Sequence, residues 1–148
     1  MCTTPGARLL IRNGLTLSGS VMLDNGGGIS FAGNQTFATG SIVFAGNSGS
    51  LGIANGTTLT LGPAMVVRGK TGLIGASVFT MAPGNLINQG LISADVAGGT
   101  LTVSPTQFEN PGTLRADGTG ASVVIRVTPF TNTGTIEELN GGKIVTTP

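Results

Sequence analysis

The residues that could carry chemistry in this chain are few. Six acids are scattered along it: Asp24, Asp95, Glu109, Asp117, Glu137 and Glu138. Asp95 and Asp117 stand 22 positions apart. If the chain repeats at that step, their carboxylates lie on neighbouring coils about 4.8 Å from each other. A carboxylate pair of that kind can hold Ca²⁺ or serve in the cleavage of a polysaccharide. Such enzymes gather several acids and bases in a cleft with aromatic subsites, whereas here tyrosine, tryptophan and histidine are absent. The reading taken is therefore a solvated edge with mild like-charge repulsion, no catalytic residues, no metal and no cofactor. The stretch Ala64-Met65-Val66-Val67-Arg68-Gly69-Lys70-Thr71 fits a relaxed phosphate-loop pattern. That chemistry needs small residues whose N–H groups wrap a phosphate, followed by a helix. Met-Val-Val-Arg reads instead as strand, ending in a Gly-Lys-Thr turn.

Threonine offers the other candidate. Thr58-Leu59-Thr60 and Thr100-Leu101-Thr102 place hydroxyls on either side of an apolar residue. With Thr80 between them, Thr58, Thr60, Thr80, Thr100 and Thr102 form a candidate flat binding face, for a glycan, a surface or ice. The row is broken by Ala38, Val78 and Val124, and threonine is an ordinary outward residue on strands.

The elements that must position these residues follow from a repeat. Short alternations such as Leu15-Thr16-Leu17, Leu59-Thr60-Leu61 and Leu101-Thr102-Val103 read as strand. Turn formers separate them: Asn13-Gly14, Asn25-Gly26, Asn55-Gly56, Gly98-Gly99 and Asn140-Gly141. Leu15, Phe37 and Leu59 are 22 apart, as are Ile29, Leu51 and Leu73, and Ile92, Leu114 and Ile136. Asn88, Asn110 and Asn132 keep the same step, and so do Leu86, Phe108 and Phe130. A step of 20 joins the halves, from Leu59 to Phe79 and from Val66 to Leu86, so one coil near residues 62–90 is read as about two residues short. Periods of this size mark solenoids.

The expected fold is all-β: one parallel β-helix, or β-solenoid, over residues 1–148. It has about 22 residues per coil and six to seven coils, with 1–12 a frayed or docking segment. Inward columns follow, one of Leu15, Phe37, Leu59, Phe79, Leu101, Val123 and Val145, its neighbour of Leu17, Thr39, Leu61, Met81, Val103, Ile125 and Thr147. The Asn88, Asn110, Asn132 column is read as a structural amide ladder, each side chain bonded to the same amide one coil away. Leu86, Phe108 and Phe130 stack beside it.

The composition bears this out. Glycine, threonine, serine and asparagine make 67 of 148 residues, and charged residues only 9%. Gly and Thr are poor helix formers. A net charge of +1 leaves no electrostatic footprint for nucleic acid, and no apolar run is long enough to span a membrane. Cys2 is the only cysteine, so no internal disulfide forms; it reads as a loose thiol rather than a lipid attachment point.

Phe108-Glu109-Asn110-Pro111-Gly112-Thr113-Leu114 and Phe130-Thr131-Asn132-Thr133-Gly134-Thr135-Ile136 share the pattern F-x-N-x-G-T-[IL], and Leu86-Ile87-Asn88-Gln89-Gly90-Leu91-Ile92 is a third copy. This pattern resembles the repeats of large bacterial surface and secreted proteins of the autotransporter-passenger and filamentous-haemagglutinin-like adhesin kind. The resemblance implies an extracellular, right-handed β-helix serving as stalk, adhesin or fibre. Neither Leu9-Leu10-Ile11 nor Lys143-Ile144-Val145-Thr146-Thr147-Pro148 reads as a cap. The expected partner is therefore self, through head-to-tail stacking, or further coils of a longer stalk.

Overall fold

The computed structural model describes residues 5–147; Cys2 lies outside them. The described chain winds as a parallel β-solenoid of about six turns with a spacing near 22 residues and no helix. Sixteen strands follow in order: β1 (Arg8–Ile11) and β2 (Ser20–Leu23), then β3 (Gly27–Phe31) and β4 (Gln35–Phe44), then β5 (Gly49–Ile53) and β6 (Thr58–Gly69). Next come β7 (Thr71–Ala76), β8 (Asn85–Asn88) and β9 (Leu91–Ala94), then β10 (Thr100–Val103), β11 (Phe108–Asn110) and β12 (Thr113–Asp117). The last coil holds β13 (Ser122–Ile125), β14 (Phe130–Asn132) and β15 (Thr135–Leu139), and β16 (Lys143–Thr146) begins another.

The wall has three faces. The first is a seven-stranded sheet in the order β1-β3-β5-β7-β10-β13-β16. The second consists of the opening halves of β4 and β6, then β8, β11 and β14. The third consists of β2, the closing halves of β4 and β6, then β9, β12 and β15. Every named strand pairing is parallel, so backbone groups in the middle of the wall are satisfied by the coils above and below. Inward residues pack into one apolar cluster that includes Phe31, Phe37, Phe44, Leu59, Ile92, Phe108 and Val123. Burying each such side chain contributes about 1.5–3 kcal/mol.

Three expectations need correction. The coil near residues 62–90 is longer, not shorter. Thr71 pairs with Thr100 and Thr58 with Asn85, steps of 29 and 27 residues. The extra chain is an excursion between β7 and β8, bridged to the wall through Pro83. Phe79 and Met81, expected in core columns, lie on it and are 46% and 84% exposed. Second, Phe37 pairs with Leu61 rather than Leu59, and Leu59 with Leu86 rather than Phe79. A slip of two residues keeps the inward–outward alternation intact, so hydrophobic pattern alone does not detect it. At the last step the slip is a single residue, which does reverse the alternation: Val123 pairs with Ile144, leaving Val145 facing outward opposite Val124. Third, the opening segment is not frayed from residue 8 onward: Arg8–Ile11 form β1, in register with Gly28–Phe31.

Candidate functional site

The amide ladder is built on the second face. Asn88, Asn110 and Asn132 follow one another in register, beside Leu86, Phe108 and Phe130. Asn88 Nδ2 donates to Asn110 Oδ1 at 2.7 Å, and Asn110 Nδ2 donates to Asn132 Oδ1 at 2.6 Å. The Phe108 and Phe130 rings stack with centroids 5.1 Å apart. Each amide also donates to the carbonyl two residues on, as Asn88 does to Gly90 O at 3.3 Å, so the ladder holds the corner into the third face. That corner is tight: a Cβ on Gly112 would strike Gly90 O and lie 2.6 Å from the Gln89 carbonyl carbon. Only glycine fits there, which accounts for the Asn-x-Gly spacing. Asn88 Oδ1, at the start of the ladder, is buried without a partner, because the residue beneath it is Leu61.

The five threonines do not share one face. Thr58 and Thr60 lie on the second face and line a depression of about 300 Å³ with Asn34, Gln35 and Thr36. Thr100 and Thr102 lie on the first face and line another of about 360 Å³ with Asn47, Ser48, Leu73 and Arg126. Thr80 is on the excursion, where its hydroxyl donates to Ala82 O. The equal spacing that placed them together ran across the longer coil.

Asp95 and Asp117 sit one residue beyond the paired Ala94 and Ala116, on adjacent coils. Their carboxylates take different partners: Asp95 Oδ2 accepts from Arg68 Nη1 at 2.7 Å, and Asp117 Oδ1 accepts from Asn140 Nδ2 at 2.7 Å. Among the described residues no group of three acids, cysteines or histidines is placed to hold a metal. Ala64–Thr71 is strand, turn and strand: β6 runs to Gly69 and β7 starts at Thr71, with Lys70 N bonded to Phe44 O. It is a wall corner, with no helix N-terminus behind it to receive a phosphate.

The functionally suggestive residues that sequence reasoning missed are at the C-terminal end of the wall. Among the described residues, β14, β15 and β16 each have a strand on one side only. Ile136, Leu139 and Val145 are exposed there. Glu138 reaches across this end: its Oε1 accepts from Ile144 N at 2.7 Å and its Oε2 from Lys143 Nζ at 3.2 Å. Those two donors hold the Glu138 carboxyl below its ordinary range. A signal was present, since Ala94, Ala116 and Glu138 are 22 apart and the first two are core alanines. Arg115 Nε donates to Glu137 Oε2 at 2.6 Å on the outside of the same face.

No family model matches this chain, and no curated protein or solved structure matches it either.

Proposed function

We propose that the chain is a non-enzymatic structural protein of the bacterial surface, a β-solenoid that serves as the subunit of a fibre or as a segment of a stalk and stacks end to end. The observation that carries this reading is the last coil. There β14, β15 and β16 leave their outer edges unpaired among the described residues, and the apolar side chains of Ile136, Leu139 and Val145 are exposed. Unpaired edges over an apolar core are a template for a further coil. A contact between unlike ends does not close on itself and so builds length. The extracellular setting rests on the F-x-N-x-G-T-[IL] repeats and their resemblance to adhesin and passenger repeats.

Negative-stain microscopy with sedimentation, on concentrated protein at neutral and at acid pH, tests the reading. Rods one wall wide are expected in at least one condition. Uniform short particles in both would sink it.

The depression on the first face favours a second reading, an adhesin-type module that binds a glycan. Its hydroxyls from Thr100 and Thr102, the apolar Leu73 and the guanidinium of Arg126 suit a carboxylated sugar. Titration with oligouronates, followed by amide shifts at Thr100 and Thr102, is the test; no shift at millimolar sugar removes it. An ice-binding face gains no support from threonines divided between two faces.

A further inference from the structure

One inward column of the third face is apolar or small until its last member. In register it reads Leu23, Phe44, Gly69, Ala94, Ala116 and then Glu138. An acid at that position sits over the core, not on the outer wall. From there it reaches the β16 backbone. The N–H groups of Lys143 and Thr147 point back toward the preceding coil, to Ala121 O and Ile125 O. In a parallel strand the intervening groups point the other way. The Ile144 N–H is therefore an edge donor, aimed where the next strand of the sheet would lie, and the Glu138 carboxylate occupies it. Inward-pointing charge is one of the ways sheets protect an open edge.

We propose that Glu138 is a gate on stacking: while its carboxylate holds the Ile144 amide, it blocks the C-terminal edge of the wall from receiving the N-terminal coil of a second copy. The inference rests on the end-to-end reading above and adds its regulation. A second copy is the occupant because, among the described residues, β1 is the opposite edge of the very sheet that β16 ends, and all strands of that sheet run parallel. Charge also favours it. Coil one carries Arg8 and Arg12, neither in an ion pair among the described residues, and the last coil carries Glu137 and Glu138.

The gate responds to pH with a defined sign. On β16 the charged group facing Glu138 is Lys143. Beside Glu138 on β15, Glu137 points to the outer side, where Arg115 of β12 holds it. The acid at the end of β12, Asp117, is bonded to Asn140. β13 carries no charged residue, and Arg126 follows it. The Ile144 amide and then Lys143 lower the folded-state pKa of Glu138 relative to the unfolded chain. The clasp is therefore fully present at neutral pH and is lost as pH falls through that lowered value.

Amide exchange and sedimentation on the whole chain test this together, using E138L, E138Q and, as a charge-matched control, E109Q. In the wild type, the Ile144 amide exchanges about tenfold more slowly than Thr146, the neighbouring edge amide that has no carboxylate over it. E138L loses that protection and forms rods at neutral pH, at concentrations where wild type and E109Q remain single. Wild type forms rods only in acid, and E138Q, which keeps an acceptor but loses the charge, lies between. Equal exchange at Ile144 and Thr146 in the wild type overturns the gate. Equal stacking of wild type and E138L at neutral pH overturns it too, while leaving the end-to-end reading intact. If no variant stacks at any pH, the end-to-end reading falls and the gate falls with it.

Discussion

The solenoid turns the corner between its second and third faces in two different ways. In the early coils the strand does not stop. β4 and β6 run through the bend as single strands, and a bulge sets Gly62 and Pro63 of β6 opposite Ala38 of β4. Proline suits a bulge, where no ladder donor is needed. The inward residues there are Phe37 and Leu61, both buried. In the late coils the strand ends at an asparagine, turns on a glycine two residues later and starts afresh, as β8 to β9, β11 to β12 and β14 to β15 do. In one column the core thus changes from Phe37 and Leu61 to Asn88 and Asn110. The apolar corner tolerates chain of varying length because dispersion and burial are non-directional. The amide corner does not, because each bond must meet its partner at hydrogen-bond distance. Across this corner the late coils accordingly keep a step of 22 on both faces, whereas the β4–β6 step changes from 24 to 25 through the bulge.

The largest expected effect separates the two corners directly. Gly112→Val drives a side chain into the Gly90 carbonyl and is expected to cost about 3 kcal/mol. At the early corner, a Cβ on Gly62 would lie 2.9 Å from Ala38 Cα; Gly62→Ala there is expected to cost about 1 kcal/mol, since the bulge can yield. Urea unfolding of both variants checks this, and equal losses would mean that the corners are not different in kind. Next comes the ladder itself. Asn110→Ala removes the central amide, which bonds Asn88 on one side and Asn132 on the other, and is expected to cost about 2 kcal/mol, against less than about 1 kcal/mol for Asn132→Ala at the exposed end. Thermal unfolding should rank them in that order.

The junction between the two regions gives a sharper comparison. Leu61 lies beneath the unpartnered Asn88 Oδ1. Leu61→Asn offers that oxygen a donor, and should be about 1 kcal/mol less destabilising than Leu61→Ala. If the two variants unfold at the same urea concentration, the ladder has not been extended. The smallest effects belong to the outer ion pairs, one in each region. Arg68→Met and Arg115→Met each remove a partly exposed pair and should shift stability by less than about 1 kcal/mol. A larger loss at Arg115 would show that the rigid late coils make better use of the charge.

Much of the late half was legible in the chain. Asn88, Asn110 and Asn132 recur without any insertion between them, and asparagine at a core position has few physical roles other than a shared amide bond. The same step connects Ala94 and Ala116 to Glu138, so the acid over the core was open to inference, though not its hold on Ile144. The early half was less legible. The turn at residues 54–58 makes one coil two residues longer, a shift that keeps Phe37 and Leu61 both inward, and the bulge at Gly62 and Pro63 adds one more. The excursion carrying Phe79 and Met81 lengthens the next, and its apolar residues mimic a strand in the same place.

Period and alternation, properties of the chain read along its length, determined by themselves that this protein is a stacked wall of parallel strands, and which residues face in over most of it. Tertiary structure alone decided which inward residue sits over which, where the extra chain leaves the wall, and how one carboxylate closes over an edge amide. The reason is physical. Hydrophobic burial rewards every register of the right parity almost equally, whereas backbone ladders and single directional bonds accept only one, and they exist only once the coils are in contact.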